Sequence, residues 1–173
     1  MEAIINKVAE SGIITLNLEE FHAKDAIVFD LKSFLFMELI LKEKDYRAAL
    51  QTHDWSIYQD KEVILTCSVD AIIPVWAYML ATVYLQPYAK QIVMGSVEQG
   101  QKDLLLSHIQ HMDTTHFVDQ RVVIKGCGEI HIPDEAYAMV TAKLKPIAKS
   151  IMYGEPCSTV PIFKKKISSH INS

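Results

Sequence analysis

The amino-acid sequence predicts an α/β fold in which an N-terminal α/β extension precedes two duplicated βαβ units with mainly parallel strands. Three observations predict it. Half of the 173 residues are hydrophobic, one segment is similar to a later one at an offset of about 59 residues, and both segments alternate short apolar runs with helical spacing. With only 6 Gly and 6 Pro, the composition excludes a disordered or collagen-like chain. The length predicts a single domain spanning residues 1–173.

The internal similarity joins residues 59–95 to residues 118–154. The two segments align without a gap, and twelve of the 37 positions are identical, whereas chance at ordinary composition would give roughly two. Turn-forming positions match as well as apolar ones, for example Pro74 with Pro133 and Gly95 with Gly154. We therefore interpret the segments as copies made by duplication, rather than as two βα units that merely resemble each other.

The extension, residues 1–57, contains four predicted elements. Gly12 to Leu18 alternates in polarity and predicts a strand, and Ala26 to Phe29 predicts another. Leu31 to Leu41 has the aromatic and aliphatic content of a buried helix, with a strand as the alternative. Lys42 to Thr52 has the charge pattern of an amphipathic helix.

Each copy predicts a strand, a helix and a second strand in the same order. A β-branched run suits a buried strand, a proline then stands where a helix begins, and a second proline ends that helix. In chain order, the strands are Glu62–Thr66 and Arg121–Lys125, the helices lie between Pro74 and Pro87 and between Pro133 and Pro146, and the closing strands are Lys90–Met94 and Lys149–Tyr153. Strand–helix–strand units of this length predict parallel strands with a right-handed crossover.

Two segments lie outside the copies. Val97 to Met112 has apolar residues at helical spacing and predicts a helix that joins the copies. Residues 165–173 are basic and then polar, which predicts a frayed tail.

The three cysteines each follow a predicted strand. Cys67 follows the first strand of copy one, Cys127 follows the first strand of copy two, and Cys157 comes three residues after Gly154. If all the strands are parallel in one sheet, these residues meet at its carboxyl edge, where open α/β sheets place ligands. Three thiolates in one crevice are typical of zinc or of an iron or iron–sulfur centre. The sequence therefore predicts a metal site with zinc, iron or an iron–sulfur cluster as its cofactor.

A closed zinc site needs a fourth ligand, which the spacing does not identify. The candidates lie near the cysteines or in the polar loops, and they are Asp70, Glu129, His131, Glu155 and His53. Asp70 and Glu129 stand at equivalent positions of the two copies.

Two other functions fit the same residues. In the first, the chain is a cysteine-dependent enzyme with Cys157 as nucleophile, held in the stiff loop from Gly154 to Pro161, with His53 or His131 as the base. In the second, the chain is a non-catalytic, dimeric interaction module whose cysteines fill space in the core.

Charge and motifs exclude several partners. With 17 basic and 21 acidic residues the net charge is −4, which argues against nucleic acid as a partner. We expect no signal peptide and no membrane span. We therefore expect a cytoplasmic protein, in which the cysteines stay reduced. As its partner we expect another protein or a second copy of the chain in a homodimer. No Gly-x-Gly-x-x-Gly loop is present, so no nucleotide cofactor is expected.

Several sequence blocks, spread from Ile4 to about Lys165, carry a family resemblance. They are Leu41–Asp45, His53–Trp55, Leu65–Ser68, Asp70–Pro74, Val123–Gly128 and Gly154–Pro161. Through them the chain resembles a bacterial family catalogued as a domain of unknown function, number twenty-four eighty. The resemblance implies no activity, but it implies association with gene clusters for iron–sulfur cluster assembly. His131 lies where the family pattern varies, so the resemblance favours Asp70 or His53 as the fourth ligand of a metal-binding accessory protein.

Overall fold

A computed structural model describes residues 6–8, 12–126, 128–155 and 157–166. These residues form the predicted α/β fold, and four of the six strand pairings are parallel. The strands are β1 (Asn6–Val8), β2 (Ile13–Asn17), β3 (Ile27–Asp30), β4 (Glu62–Thr66), β5 (Gln91–Met94), β6 (Arg121–Lys125), β7 (Ser150–Glu155) and β8 (Ser158–Lys164). The α-helices are α1 (Glu43–Thr52), α2 (Val75–Leu85), α3 (Val97–His111) and α4 (Asp134–Leu144).

The chain divides into two compact units. Ala23–Leu104 forms one of them, and Met1–His22 together with Leu105–Ser173 forms the other. The predicted N-terminal extension is therefore divided between the two units. The single domain over residues 1–173 stays a prediction, and the predicted tail lies outside the described residues from position 167 onward.

The unit Ala23–Leu104 is built on a three-stranded parallel sheet in the order β3-β4-β5. Alternate residues of β4 face opposite sides of the sheet. Val63 and Leu65 pack in the core that α1 and α2 cover, together with Tyr46 and Leu50 of α1. Ile64 faces the other side and contacts the first turns of α3, where it lies so close to Gly100 that a β-carbon there would clash.

The other unit has a five-stranded sheet in the order β1-β2-β6-β7-β8. Its three central strands are parallel, and β1 and β8 are antiparallel strands on either side. The core beneath α4 and the end of α3 includes Leu105, Ile109, Val122, Val140 and Leu144. The sequence missed β8, because Pro161 is an unusual residue within a strand and is tolerated mainly at sheet edges.

The elements of the two predicted copies correspond in the two units. β4 and β6, α2 and α4, and the starts of β5 and β7 each lie 59 positions apart. Asp60 and Asp119, also 59 positions apart, both adopt a left-handed backbone, with φ of 58° and 54°. The predicted strands and helices of the copies are thus confirmed, whereas their origin by duplication stays a prediction.

The predicted buried helix from Leu31 to Leu41 is wrong. A short 3-10 helix covers Leu31–Phe34, and the chain then turns, with a bridge between Phe36 and Ile40. Met37 and Glu38 have φ values of 52° and 57°, which interrupt any right-handed helix. Most of the apolar side chains after Phe34 are exposed rather than buried.

Candidate functional site at the carboxyl edge of the three-stranded sheet

The described cysteines follow strands, as predicted, but those strands belong to different sheets. Cys67 comes directly after β4, and Cys157 lies in the turn between β7 and β8. Because β4 and β7 are in separate sheets, the expectation that one sheet edge gathers the thiols is wrong for this pair. Cys127 lies outside the described residues, and the three-cysteine metal site stays a prediction.

The two proposed additional ligands occupy different surroundings within the three-stranded unit. Asp70 is exposed in the loop between β4 and α2. His53 directly follows α1, and its ring packs against those of Phe29, Trp55 and Tyr58, with 3.1 Å between Nε2 and the Tyr58 hydroxyl. Among the residues that the structure describes, no three His, Cys, Asp or Glu side chains converge on a possible metal position.

Asp30, the last residue of β3, ties the ends of two neighbouring strands together. Its Oδ1 accepts hydrogen bonds from the backbone N–H of Lys32 at 2.9 Å and from that of Ser68 at 3.1 Å. Partial burial raises the pKa of Asp30, but the hydrogen bonds from Ser68 and Lys32 outweigh it, so that the pKa lies below its usual value. Asp30 is therefore a fixed carboxylate at neutral pH.

Cys67 directly follows β4 and precedes Ser68, whose backbone binds this carboxylate. Its side chain is half-buried against the core of the unit, and the thiol donates a long hydrogen bond of 3.6 Å to the carbonyl of Val69. The thiol thus lies at the carboxyl edge of the sheet, where parallel α/β sheets place their ligands.

Two tyrosines from the covering helices complete this edge. Burial raises the pKa of Tyr78, on α2, and the neighbouring Cys67 and Asp30 raise it further. Tyr46, on α1, is fully buried, and its hydroxyl donates a 2.8 Å hydrogen bond to the carbonyl of Ala77. Burial, with a smaller effect from Tyr78, raises the pKa of Tyr46 as well. At neutral pH the edge therefore presents the Asp30 carboxylate and two neutral phenols beside the Cys67 side chain.

Sequence reasoning missed Asp30, Ser68 and Tyr78 as parts of this sheet edge. One signal was available, since Tyr78 is identical to Tyr137 of the second copy. Asp30 gave no such signal, because its strand lies outside the aligned segments. Its counterpart in the other unit is Asn17, which ends β2 and likewise accepts a hydrogen bond from the 3-10 helix that follows.

The corresponding region of the five-stranded unit contains an open groove of about 700 Å³. One side of the groove is a stripe formed by Asp134, Ala138 and Ala142 of α4 and by Lys145 directly after the helix, and the other side includes Ile162 of β8. The side chains at these four positions are either small or charged.

The three-stranded unit has large apolar residues where α4 has small or charged ones. Val75, Met79 and Val83 of α2 stand 59 positions before Asp134, Ala138 and Ala142. These three residues of α2 are 74%, 64% and 67% exposed. Ile72 before the helix is 95% exposed, and Met94 at the end of β5 is 59% exposed. We refer to these five residues, Ile72, Val75, Met79, Val83 and Met94, as the α2 face.

Together these features define an α/β protein with a polar, thiol-bearing sheet edge and an exposed apolar helix beside it. The family model "Protein of unknown function (DUF2480)" matches residues 2–165, and the chain belongs to this family. No curated protein and no solved structure gives a significant match. In the part of the chain that the structure describes, no helix has both the length and the apolar character needed to cross a membrane.

Proposed function

We propose that this chain is a protein-interaction module whose three-stranded unit docks a partner through the α2 face. The observation that carries the proposal is the exposure of Val75, Met79 and Val83, which are spaced four residues apart and therefore lie on one side of α2. Single exposed apolar residues are ordinary on protein surfaces, but a group of large ones on one helix side marks an interaction site.

The corresponding helix of the other unit supports this proposal. α4 packs on its sheet in the equivalent position, yet it has Asp134, Ala138 and Ala142 at the positions of the apolar stripe. The fold of the unit therefore does not require large apolar side chains there. Their presence on α2 is better explained by binding than by folding.

A photo-crosslinking residue at Met79 tests the proposal in the cells that naturally make the chain. We expect a discrete crosslinked protein product from Met79, because docking covers the α2 face. The matched control places the same residue at Ala138, the equivalent position on α4, where we expect little product. Equal products from both positions, or none from Met79, would show that the α2 face is not a docking surface.

Metal binding is a second candidate function, and the neighbourhood of Cys67 favours it. The Asp30 carboxylate accepts a hydrogen bond from the backbone N–H of Ser68, the residue that follows Cys67, so a thiol and a carboxylate lie near one another at this edge. Zinc and iron accept such ligands. An accessory role in iron–sulfur cluster assembly would rest on this site.

Metal analysis and an absorption spectrum of protein purified without oxygen test this second candidate. About one zinc or iron per chain, lost in Cys67→Ser and kept in a variant of an exposed carboxylate such as Glu38→Gln, would support a site at Cys67. The Cys157→Ser variant then asks whether that thiol takes part. Metal-free protein of normal stability would count against this function. Cys157 as the nucleophile of an enzyme stays a prediction.

A further inference from the structure

We infer that the partner covering the α2 face is a second copy of this chain, so that two α2 helices pack across a twofold axis. This inference rests on the proposed function and names the occupant of the same surface. Symmetric dimers pair one surface patch with itself, and each copy then needs a patch that complements its own chemistry.

The charge distribution around α2 favours such a self-complementary contact. No Asp, Glu, Lys or Arg occurs from Ala71 to Ala89, which includes the whole of α2. A partner chosen by charge would find no charged side chain to pair with on α2, whereas a second copy presents an equally uncharged helix. Interface centres are depleted of charged residues in the same way.

The size of the α2 face also fits a symmetric pair. Its five residues are each more than half exposed, and a symmetric contact buries each of them twice, toward the roughly 800 Å² per partner of a standard stable interface. Methionine side chains at two of the five positions adapt readily to a facing surface.

The topology explains why the chain itself leaves this face uncovered. In the five-stranded unit, β7 is followed by the antiparallel strand β8, whose Ile162 lies across the groove from α4. In the three-stranded unit, β5 is followed after Gly95 and Ser96 by α3, so no returning strand follows. Among the described residues, β5 accordingly pairs with β4 alone.

Sedimentation equilibrium of the full chain over a wide concentration range tests this inference. We expect the wild type to have twice the chain mass at micromolar concentration. Val83→Glu should raise the dissociation constant at least 100-fold, because it places two carboxylates against each other in an apolar contact. The matched control Ala142→Glu, at the equivalent position of α4, should leave the dissociation constant unchanged. Circular dichroism and thermal unfolding confirm that both variants fold.

Two outcomes would overturn the dimer. One is a wild type that stays monomeric at every concentration, and the other is a folded Val83→Glu variant that remains dimeric. The crosslinks from Met79 separate failure of the dimer from failure of the proposed function. A product with a different protein, from a chain that is monomeric, keeps the docking function and refutes the dimer. A crosslink from Met79 to the chain's own residues beyond Lys166 refutes both.

Discussion

The hydroxyl group of Tyr137 occupies the space that a β-carbon at position 126 would need. Gly126 follows β6 directly, at the carboxyl edge of the five-stranded sheet, and a side chain there would also approach Ile132. The equivalent pair in the three-stranded unit is Cys67 and Tyr78, where position 67 does carry a β-carbon. The same tyrosine therefore packs differently at the two sheet edges, over a glycine in one unit and beside a thiol in the other.

The first prediction concerns this pair. Gly126→Ala should destabilise the protein by about 1–3 kcal/mol, because the new methyl group overlaps the Tyr137 hydroxyl in a packed region. In the Tyr137→Phe background the same substitution should cost less, since the overlapping oxygen is gone. Chemical denaturation of the four proteins of this double-mutant cycle measures the coupling. Costs that simply add would contradict the packing described above.

The second prediction concerns the pH dependence due to Asp30. Its pKa is below the usual value in the folded state, so its contribution to stability is present above the unfolded pKa and is lost as the pH falls through the folded pKa. Asp30→Asn keeps an acceptor but loses the charge, and we expect it to lower the stability at pH 7 by about 0.5–1.5 kcal/mol. Below the ordinary aspartate pKa of 3.8, the difference in stability from the wild type should shrink toward zero.

Denaturation curves between about pH 2.5 and 7 would measure this difference in stability, because that interval spans the ordinary pKa of aspartate. Asp70→Asn is the matched control, because Asp70 is exposed in the loop after β4, at the same edge of the sheet. We expect that variant to change the stability by less than about 0.5 kcal/mol. An Asp30→Asn deficit that persists unchanged at low pH would argue against an ionised, hydrogen-bonded carboxylate.

The third prediction concerns Tyr46 at alkaline pH. Burial raises the folded pKa of Tyr46 above the ordinary tyrosine value of 10.0, so the unfolded chain releases this proton first and stability falls as the pH rises above that value. Tyr46→Phe should remove about one proton from the pH dependence of unfolding. It should also cost roughly 0.5–1.5 kcal/mol at pH 7, because the hydrogen bond to the Ala77 carbonyl is lost.

Unfolding free energies above and below the tyrosine pKa range test the sign of this effect. Tyr58 and Tyr78, whose pKa values are raised by burial, should still give the Tyr46→Phe variant some alkaline sensitivity. A variant with the full alkaline slope of the wild type would mean that Tyr46 ionises in the folded protein as readily as in the unfolded chain.

The fourth prediction concerns thiol reactivity. Cys157 is exposed in a turn, whereas Cys67 is half-buried and its thiol points to the Val69 carbonyl. Under native conditions at neutral pH, a thiol-reactive probe should therefore label Cys157 faster than Cys67, as peptide mapping by mass spectrometry can measure. In denaturant the two rates should become similar. Faster native labelling of Cys67 would indicate an activated thiol at the sheet edge.

The sequence predicted the elements that depend on local patterns. The β-branched runs gave β4 and β6, and Pro74 and Pro133 gave the starts of α2 and α4 to within a residue. The Leu31–Leu41 helix failed because its apolar content was interpreted as burial, although the left-handed residues Met37 and Glu38 turn the chain.

The arrangement of strands could not be predicted in the same way. Which strands share a sheet depends on distant pairings, such as Ile14 with Val122, and no local pattern encodes them. The neighbourhood of Cys67 was missed for the same reason, since Asp30 reaches Ser68 from a strand that lies before the repeat. The exposure of Val75, Met79 and Val83 could not be predicted either, because an apolar helix has the same sequence pattern whether it is buried or exposed to solvent.

The route of the chain through the two units sets an order for their formation during synthesis. Ala23–Leu104 is one continuous stretch, so it is complete once Leu104 has left the ribosome. The five-stranded sheet can form only later, because β2 near the start of the chain pairs with β6, which is synthesised after that stretch. During translation, β2 therefore remains without its parallel neighbour while the apolar side of α2 is already available. A partner bound at that moment would meet a chain that is only half folded.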